Sequence, residues 1–132
     1  MWKVNANQRG VLHIMAKRIL IAEDDPASRE IIFVLARNQG YEVVAIDDGV
    51  ELLTVSANER FDLIITDLMM PKLNGVSATE IMNMQGNRIP VIALTALSPE
   101  DTHLVKDKFI RIFHKPCDYK ELFEYIESLI GK

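Results

Sequence analysis

The apolar residues of this chain are concentrated in short blocks that recur along its length. Five blocks stand out: ILIA (19–22), VVAI (43–46), LIIT (63–66), VIAL (91–94) and FIRIF (109–113). The first four are continuous and rich in β-branched residues, which is typical of parallel strands buried on both faces of a sheet. The last contains Arg111 and is expected at a sheet edge. These blocks predict a five-stranded parallel sheet.

The segments between the blocks carry the signals that begin and end helices. Asp25 and Pro26 form an N-cap followed by proline at the first helical position, and Gly40 provides a C-terminal stop. Further helices are predicted after Asp48, Asn74, Ser98 and Asp118. Strand–helix units repeated five times predict an α/β domain in which helices cover both faces of the sheet.

Length and composition limit the classes of protein to which the chain can belong. Its 132 residues suit one domain, and 48% hydrophobic with 26% charged residues is ordinary for a soluble globular protein. No apolar run approaches the roughly 20 residues of a membrane span. A net charge of −4 with scattered Lys and Arg argues against nucleic-acid binding. The single cysteine, Cys117, excludes an intramolecular disulfide and fits a reducing cytoplasm.

The first residues are expected to lie outside the domain. Met15 begins the segment MAKRILIAEDD, which has the form of a natural start directly before the first strand. Residues 1–16 are therefore interpreted as a tail, a linker or a vector remnant, and the domain is predicted over residues 17–132.

Polar residues follow the predicted strands at the point where each strand ends. The first strand is followed by Glu23, Asp24 and Asp25, the third by Asp67, the fourth by Thr95, and the fifth by His114 and Lys115. In an open α/β sheet, ligands bind beyond the carboxyl ends of the strands where the strand order reverses. If the first and third strands are neighbours, three aspartates, a hydroxyl and an ammonium converge there. Asp47 and Asp48, after the second strand, are expected to be remote.

Such a group of carboxylates is costly unless a cation neutralises it or a proton is taken up. Hard oxygen ligands suit Mg²⁺, which commonly bridges to a phosphate. Lys115 on the opposite side would stabilise a phosphoryl group. Taken singly, each residue has a structural explanation, such as a helix cap for Asp25 or a turn for Asp67. Their placement at successive strand ends favours a site for phosphoryl transfer.

Four segments in this order resemble the receiver domain of two-component response regulators: ILIAEDD, DLMMPKLNG, ALTA and HKP. The resemblance covers nearly everything from Lys17 to Gly131. It implies the doubly wound, flavodoxin-like three-layer sandwich with strand order 2-1-3-4-5. It also implies a switch that accepts a phosphoryl group from a histidine kinase or a histidine phosphotransfer protein and then changes its binding to a protein partner. A weak homodimer is compatible with it.

The resemblance implies a role for each matching residue. Asp67 would be the phosphoacceptor, a carboxylate nucleophile that forms an aspartyl phosphate. Asp25 would be the direct Mg²⁺ ligand, Asp24 the acid that holds metal-bound water, and Met69 a ligand through its backbone carbonyl. The remaining matches are Lys115 as the partner of the phosphoryl oxygens, Thr95 as the switch hydroxyl, Ala96 as an amide donor, and a cis Lys115–Pro116 peptide.

The sequence departs from the family pattern in the last strand and before it. Ile112 stands where Tyr or Phe often acts as a rotamer switch, and the next residue, Phe113, would face the other side of the sheet. The segment from Thr95 to Lys115 is short, so an abbreviated or poorly ordered fourth helix is expected. His13, His103 and His114 are expected to be surface histidines.

Three other functions are alternatives, two of which the sequence disfavours. A receiver-like interaction module that works without phosphorylation would be compatible with Ile112. An aspartyl-phosphate phosphatase of the haloacid dehalogenase type would need an acid two residues after the nucleophile, where Met69 stands. A flavin-binding electron carrier would need a phosphate loop rich in hydroxyl groups and glycine after the first strand, where EDDP lies.

Overall fold

The computed structural model describes residues 16–132, so residues 1–15 of the predicted tail, with His13, lie outside the described residues. Its sheet contains β1 (Arg18–Ala22), β2 (Glu42–Ile46), β3 (Leu63–Thr66), β4 (Val91–Thr95) and β5 (Arg111–His114). All neighbours are parallel, and the order is β2-β1-β3-β4-β5. The predicted doubly wound α/β fold and its strand order are confirmed.

The helices alternate with the strands. They are α1 (Pro26–Asn38), α2 (Gly49–Asn58), α3 (Gly75–Met84), α4 (Pro99–Thr102) and α5 (Tyr119–Ile130), with a 3₁₀ helix over His103–Lys108. Each predicted cap is present: the side chains of Asp25, Asp48, Asn74, Ser98 and Asp118 accept hydrogen bonds from the first-turn N–H groups. None of the described helices is long and apolar enough to span a membrane.

The fourth helix has the expected abbreviated form. It contains four residues and continues directly into the 3₁₀ helix, none of whose residues is buried. The prediction for the following strand was wrong by two residues at its start, because the N–H of Phe109 donates to Lys106 O and thereby closes the 3₁₀ turn. Pairing of β5 with β4 begins at Arg111, which lies opposite Ile92.

Alternate side chains of each strand enter two separate cores. Ile19 and Ile21 of β1 pack in the core formed with α1 and α5, whereas Leu20 and Ala22 pack in the core formed with α2 and α3. Phe113 belongs to the first core and Ile112 packs against the second. The predicted opposite orientation of these two neighbours is therefore confirmed.

The order of the strands reverses between β1 and β3. From β1 the chain proceeds outward to β2 and then returns to β3 on the other side. Ala22, the last residue of β1, lies opposite Thr66, the last residue of β3. The residues that follow these two strands consequently emerge side by side, where ligands bind in doubly wound sheets.

Candidate phosphoacceptor site

Asp67 directly follows β3 and is held by its own backbone. Its N–H donates to Ala22 O over 2.9 Å, which extends the pairing with β1 by one bond. One carboxylate oxygen, Oδ1, accepts from the N–H of Leu68 at 2.6 Å and of Met69 at 3.2 Å. The residue is only 8% exposed. The acid is therefore fixed in one orientation before any ligand arrives.

The loop after Asp67 closes tightly on itself. The N–H of Gly75 donates to Leu68 O over 3.0 Å, which joins the beginning of the loop to the first turn of α3. A Cβ atom at position 75 would lie 2.1 Å from the backbone oxygen of Asp67. Glycine is thus required here by the close approach of α3 to the acid, and the packing of α3 fixes the position of Asp67.

Lys115 reaches Asp67 from the end of β5. Its N–H donates to Thr95 O over 2.7 Å, and its peptide bond to Pro116 is cis, as the resemblance implied. The Nζ atom donates to Asp67 Oδ2 over 3.0 Å and also to Glu23 Oε1. One ammonium therefore joins the ends of β1, β3 and β5.

Burial and the neighbouring opposite charge act in opposite directions on the pKa values of Lys115 and Glu23. Burial lowers the pKa of Lys115, but its hydrogen bonds to Glu23 and Asp67 and the charges of both acids outweigh this effect and leave the pKa raised. Burial raises the pKa of Glu23, and the nearby charge of Asp67 adds to the rise, although Lys115 opposes it. The site carries more carboxylates than its one ammonium can neutralise.

The acids after β1 do not all face the site. Glu23, Asp24 and Asp67 each place a carboxylate oxygen within 4.8 Å of the others. Asp25 lies outside this group, because its Oδ2 accepts from the N–H of Ser28 over 2.8 Å and caps α1. That backbone bond lowers the pKa of Asp25. In this structure Glu23, and not Asp25, is therefore grouped with Asp24 and Asp67.

The remaining group of oxygens fits a hard divalent cation. Three carboxylates within 4.8 Å of one another offer the ligands that Mg²⁺ prefers, and mutual repulsion favours the uptake of a cation. Asp24 is exposed, so this side of the group is open to solvent, whereas Glu23 is buried. Met69 is also exposed, at 62%, and follows Asp67 by two residues.

Asp47 and Asp48 are not remote from the site, which corrects the expectation from the sequence. With Asp24, Pro71 and Lys72 they line a cavity of about 260 Å³. The reason is that β1 pairs with β2, with Ala22 opposite Ile46, so the acids after these strands emerge side by side. The loop after β3 packs on the start of α2 beside them, where a Cβ at Gly49 would lie 1.9 Å from Leu73 O. Asp48 itself caps α2 and forms an ion pair with Lys72 at 3.4 Å.

Thr95 ends β4 with its side chain fully buried. Its Oγ1 accepts from the N–H of Leu97 over 3.2 Å, so the hydroxyl is bonded within its own loop. Ala96, between the two, is exposed. Thr95 and Ala96 thus lie at the strand end next to that of Asp67, as predicted.

His114 was expected at the surface, but it has a structural role that the sequence did not indicate. It is half-buried, and its Nδ1 lies 2.8 Å from Leu97 O. Its position directly before Lys115, at the end of an edge strand, was the only signal in the sequence. His103 is exposed, as expected.

The comparisons with known proteins agree with this architecture. The receiver domain of the Francisella response regulator 1452 superposes with a TM-score of 0.81 and 30% identity, covering 86% of this chain and 96% of that one. A second structure is the receiver domain of sensor histidine kinase PA1611 from Pseudomonas aeruginosa, with a magnesium ion coordinated in its active site cleft. It superposes with a TM-score of 0.82 and 30% identity, covering 89% of this chain and 99% of that one.

Sequence relatives lead to the same family. The DNA-binding response regulator MtrA of Mycolicibacterium smegmatis is 34% identical over 82 residues, which is 62% of this chain and 36% of that protein. The chain spans half or less of the length of the first curated relatives that it matches. A family model described as the response regulator receiver domain matches residues 19–127. The chain therefore belongs to the response regulator receiver family and is the receiver domain of a two-component signalling protein.

Proposed function

We propose that this domain accepts a phosphoryl group on Asp67 from a histidine kinase or a histidine phosphotransfer protein and thereby switches its binding to a protein partner. The observation that carries the proposal is the convergence of Lys115, Glu23 and Asp24 on the Asp67 carboxylate. The only reactions that the domain would promote are its own phosphorylation and dephosphorylation.

The carboxylate of Asp67 is prepared for nucleophilic attack. An oxygen of Asp67 forms a bond to phosphorus, the P–N bond of the donor phosphohistidine breaks, and its electrons return to the imidazole. The N–H groups of Leu68 and Met69 keep the acid in place during attack. Lys115 offsets the charge on the phosphoryl oxygens, and the Thr95 hydroxyl and the Ala96 N–H lie on the adjacent strand end to donate to them.

The ligands of Mg²⁺ are assigned from the observed grouping. Asp24, Asp67 and the backbone carbonyl of Met69 would hold the ion, and Glu23 would act from the buried side while it positions Lys115. Asp25 is not assigned this role, because one oxygen of its carboxylate caps α1 and the residue lies outside the group of acids. When bound, Mg²⁺ supplies positive charge that offsets the carboxylates and the incoming phosphoryl group.

The experiment is phosphorylation by a small phosphodonor with Mg²⁺, followed by intact-mass measurement. We expect one labile phosphoryl adduct on the wild type and none on Asp67→Asn. Absence of an adduct on the wild type, under conditions that label another receiver domain, would contradict the proposal.

The metal assignment is tested by two neighbouring substitutions of the same kind. Asp24→Asn removes a proposed ligand and should greatly weaken the Mg²⁺ dependence of labelling. Asp25→Asn keeps an efficient helix cap and should leave labelling within about twofold of the wild type. The reverse result would restore Asp25 as the ligand.

A second candidate is an interaction module that works without phosphorylation. Ile112 favours it, because this residue packs on the second core and is not the aromatic side chain that the family's rotamer switch uses. This function predicts that Asp67→Asn binds the protein partner as the wild type does, with or without phosphodonor. A phosphatase is disfavoured, because exposed Met69 occupies the place of the required second acid.

A further inference from the structure

His114 is bonded across the end of the sheet to the loop between β4 and α4. Its Nδ1 lies 2.8 Å from Leu97 O. Because a carbonyl oxygen can only accept, Nδ1 carries the proton and donates it. His114 also lies directly opposite Thr95 in the pairing of β5 with β4. The loop therefore fixes both the orientation and the protonated nitrogen of this ring.

Leu97 is held on both sides of its backbone by the two residues that end β4 and β5. Its N–H donates to Thr95 Oγ1 over 3.2 Å, and its carbonyl accepts from His114. The next residue after His114 is Lys115, whose N–H donates to Thr95 O over 2.7 Å. The switch hydroxyl, the loop and the phosphate-binding lysine are thus connected through one short set of hydrogen bonds.

We propose that His114 is a positioning residue that holds residues 96–98 in the conformation of the unphosphorylated domain. The inference rests on the proposed function, because Thr95 must leave Leu97 N–H if its hydroxyl moves to a phosphoryl group on Asp67. The bond from His114 then resists the accompanying movement of the loop. Ile112, two residues earlier, has no hydrogen-bonding side chain and cannot form this connection.

The hydrogen bond between His114 and Leu97 contributes to the balance between the two conformations of the loop. A bond that forms in only one of two conformations shifts the equilibrium between them by its own net contribution. For a neutral hydrogen bond this corresponds to a factor of about 2 to 10. Loss of the His114 donor should therefore favour the switched conformation and strengthen binding of a phosphoryl analogue to the same degree.

The test compares His114→Leu, which removes the donor, with His114→Asn, whose side-chain amide places an N–H close to the position of Nδ1. The probe is beryllofluoride with Mg²⁺, titrated by calorimetry, and the Leu97 amide is followed by NMR. We expect His114→Leu to bind beryllofluoride about 2- to 10-fold more tightly than the wild type does. In the ligand-free variant, the NMR resonance of the Leu97 amide should shift towards its position in the beryllofluoride-bound protein. His114→Asn should stay within about twofold of the wild type. His114→Phe is a second donor-free variant if His114→Leu does not fold.

The outcomes separate this inference from the proposed function. Equal or weaker binding by the donor-free variants, or an unchanged Leu97 amide, would show that the histidine does not restrain the loop while phosphoacceptance stands. Failure of the wild type to bind beryllofluoride and to accept a phosphoryl group would overturn the proposed function, and this inference with it.

Discussion

Lys115 Nζ lies 3.0 Å from Asp67 Oδ2 and donates at the same time to the buried carboxylate of Glu23. The lysine side chain is 23% exposed, whereas those of Glu23 and Asp67 are 3% and 9% exposed. The two acids therefore depend on this one ammonium for charge compensation within the described part of the chain. The state without Mg²⁺ is held together by the residue that would later bind the phosphoryl group.

Replacing Lys115 by Met should destabilise the domain and increase its response to Mg²⁺. Removal of one partner leaves two poorly solvated carboxylates facing each other, at a cost of about 2 kcal/mol after allowance for partial exposure. Binding of Mg²⁺ to the folded state should recover much of this loss. Thermal unfolding with and without Mg²⁺ measures both effects. Lys120→Met is the control, since Lys120 is exposed and its ion pair with Glu124 is long at 4.0 Å. An equal loss of stability and an equal gain from Mg²⁺ in the two variants would refute the prediction.

Gly75→Ala should damage the acceptor site and the fold together. The new Cβ would lie 2.1 Å from Asp67 O, so α3 or the acid must move. We expect a loss of about 1–3 kcal/mol in unfolding free energy and a strong reduction of the phosphoryl adduct. Denaturant unfolding and intact mass measure these two quantities.

The control for this substitution is Gly40→Ala. Gly40 has a φ of +98° but no atom within 4 Å of the added Cβ, so strain of about 1 kcal/mol should arise far from Asp67. This variant should be labelled normally. If both variants lose the adduct, general instability is the cause.

Tyr41→Phe should reduce stability at neutral pH but not at strongly alkaline pH. Tyr41 donates to Gly131 O over 2.8 Å, and loss of that bond should cost about 0.5–1.5 kcal/mol. Burial, followed by the charge of Glu127, raises the pKa of Tyr41 above its ordinary 10.0. A raised folded-state pKa gives a stabilisation that is complete below pH 10.0 and disappears as pH rises through the folded-state pKa. Denaturant unfolding from pH 7 to 11 should show the two curves converging; parallel curves would contradict this.

Arg111→Lys should loosen the contact between β5 and α5. The Arg111 guanidinium lies 4.2 Å from the centroid of the Phe113 ring and 4.8 Å from that of Tyr125, and it pairs with Glu121 at 2.8 Å. Lysine keeps the charge but loses the planar stacking, so we expect a loss of about 0.5–1.5 kcal/mol. Arg37→Lys is the control, because among the described residues Arg37 contacts a single ring, that of Phe33, at 5.7 Å from its centroid. This substitution should lower the free energy of unfolding by less. Denaturant unfolding compares the two.

The strands and helix caps could be predicted because their signals are local. Asp25, Asp48 and Asn74 cap helices with the spacing that the sequence shows. The positions of Asp67 and Lys115 also followed from a general rule, since parallel strands deliver their last residues to one edge of the sheet. The start of β5 could not be read in this way, because an apolar residue such as Phe109 fits a 3₁₀ turn as well as a strand.

The details of the site depended on contacts that the sequence does not encode locally. Three acids follow β1 in succession, and the pairing of Glu23 N–H with Ile46 O helps to decide which of them faces inward. Asp48 comes near Asp24 because β1 pairs with β2, with Ala22 opposite Ile46, and the loop after β3 rests on Gly49 beside them. The bond from His114 to Leu97 joins residues 17 positions apart, and no periodic pattern relates them.

The brevity of α4 has a consequence for local stability. The segment from His103 to Lys108 buries none of its residues, and Leu104 is 91% exposed. Local opening there sacrifices little apolar contact, so its amide hydrogens should exchange with solvent long before those of β1 and β3. A partner that binds this segment would meet a surface that can be remoulded at small energetic cost, while the sheet beneath it keeps the acidic site intact.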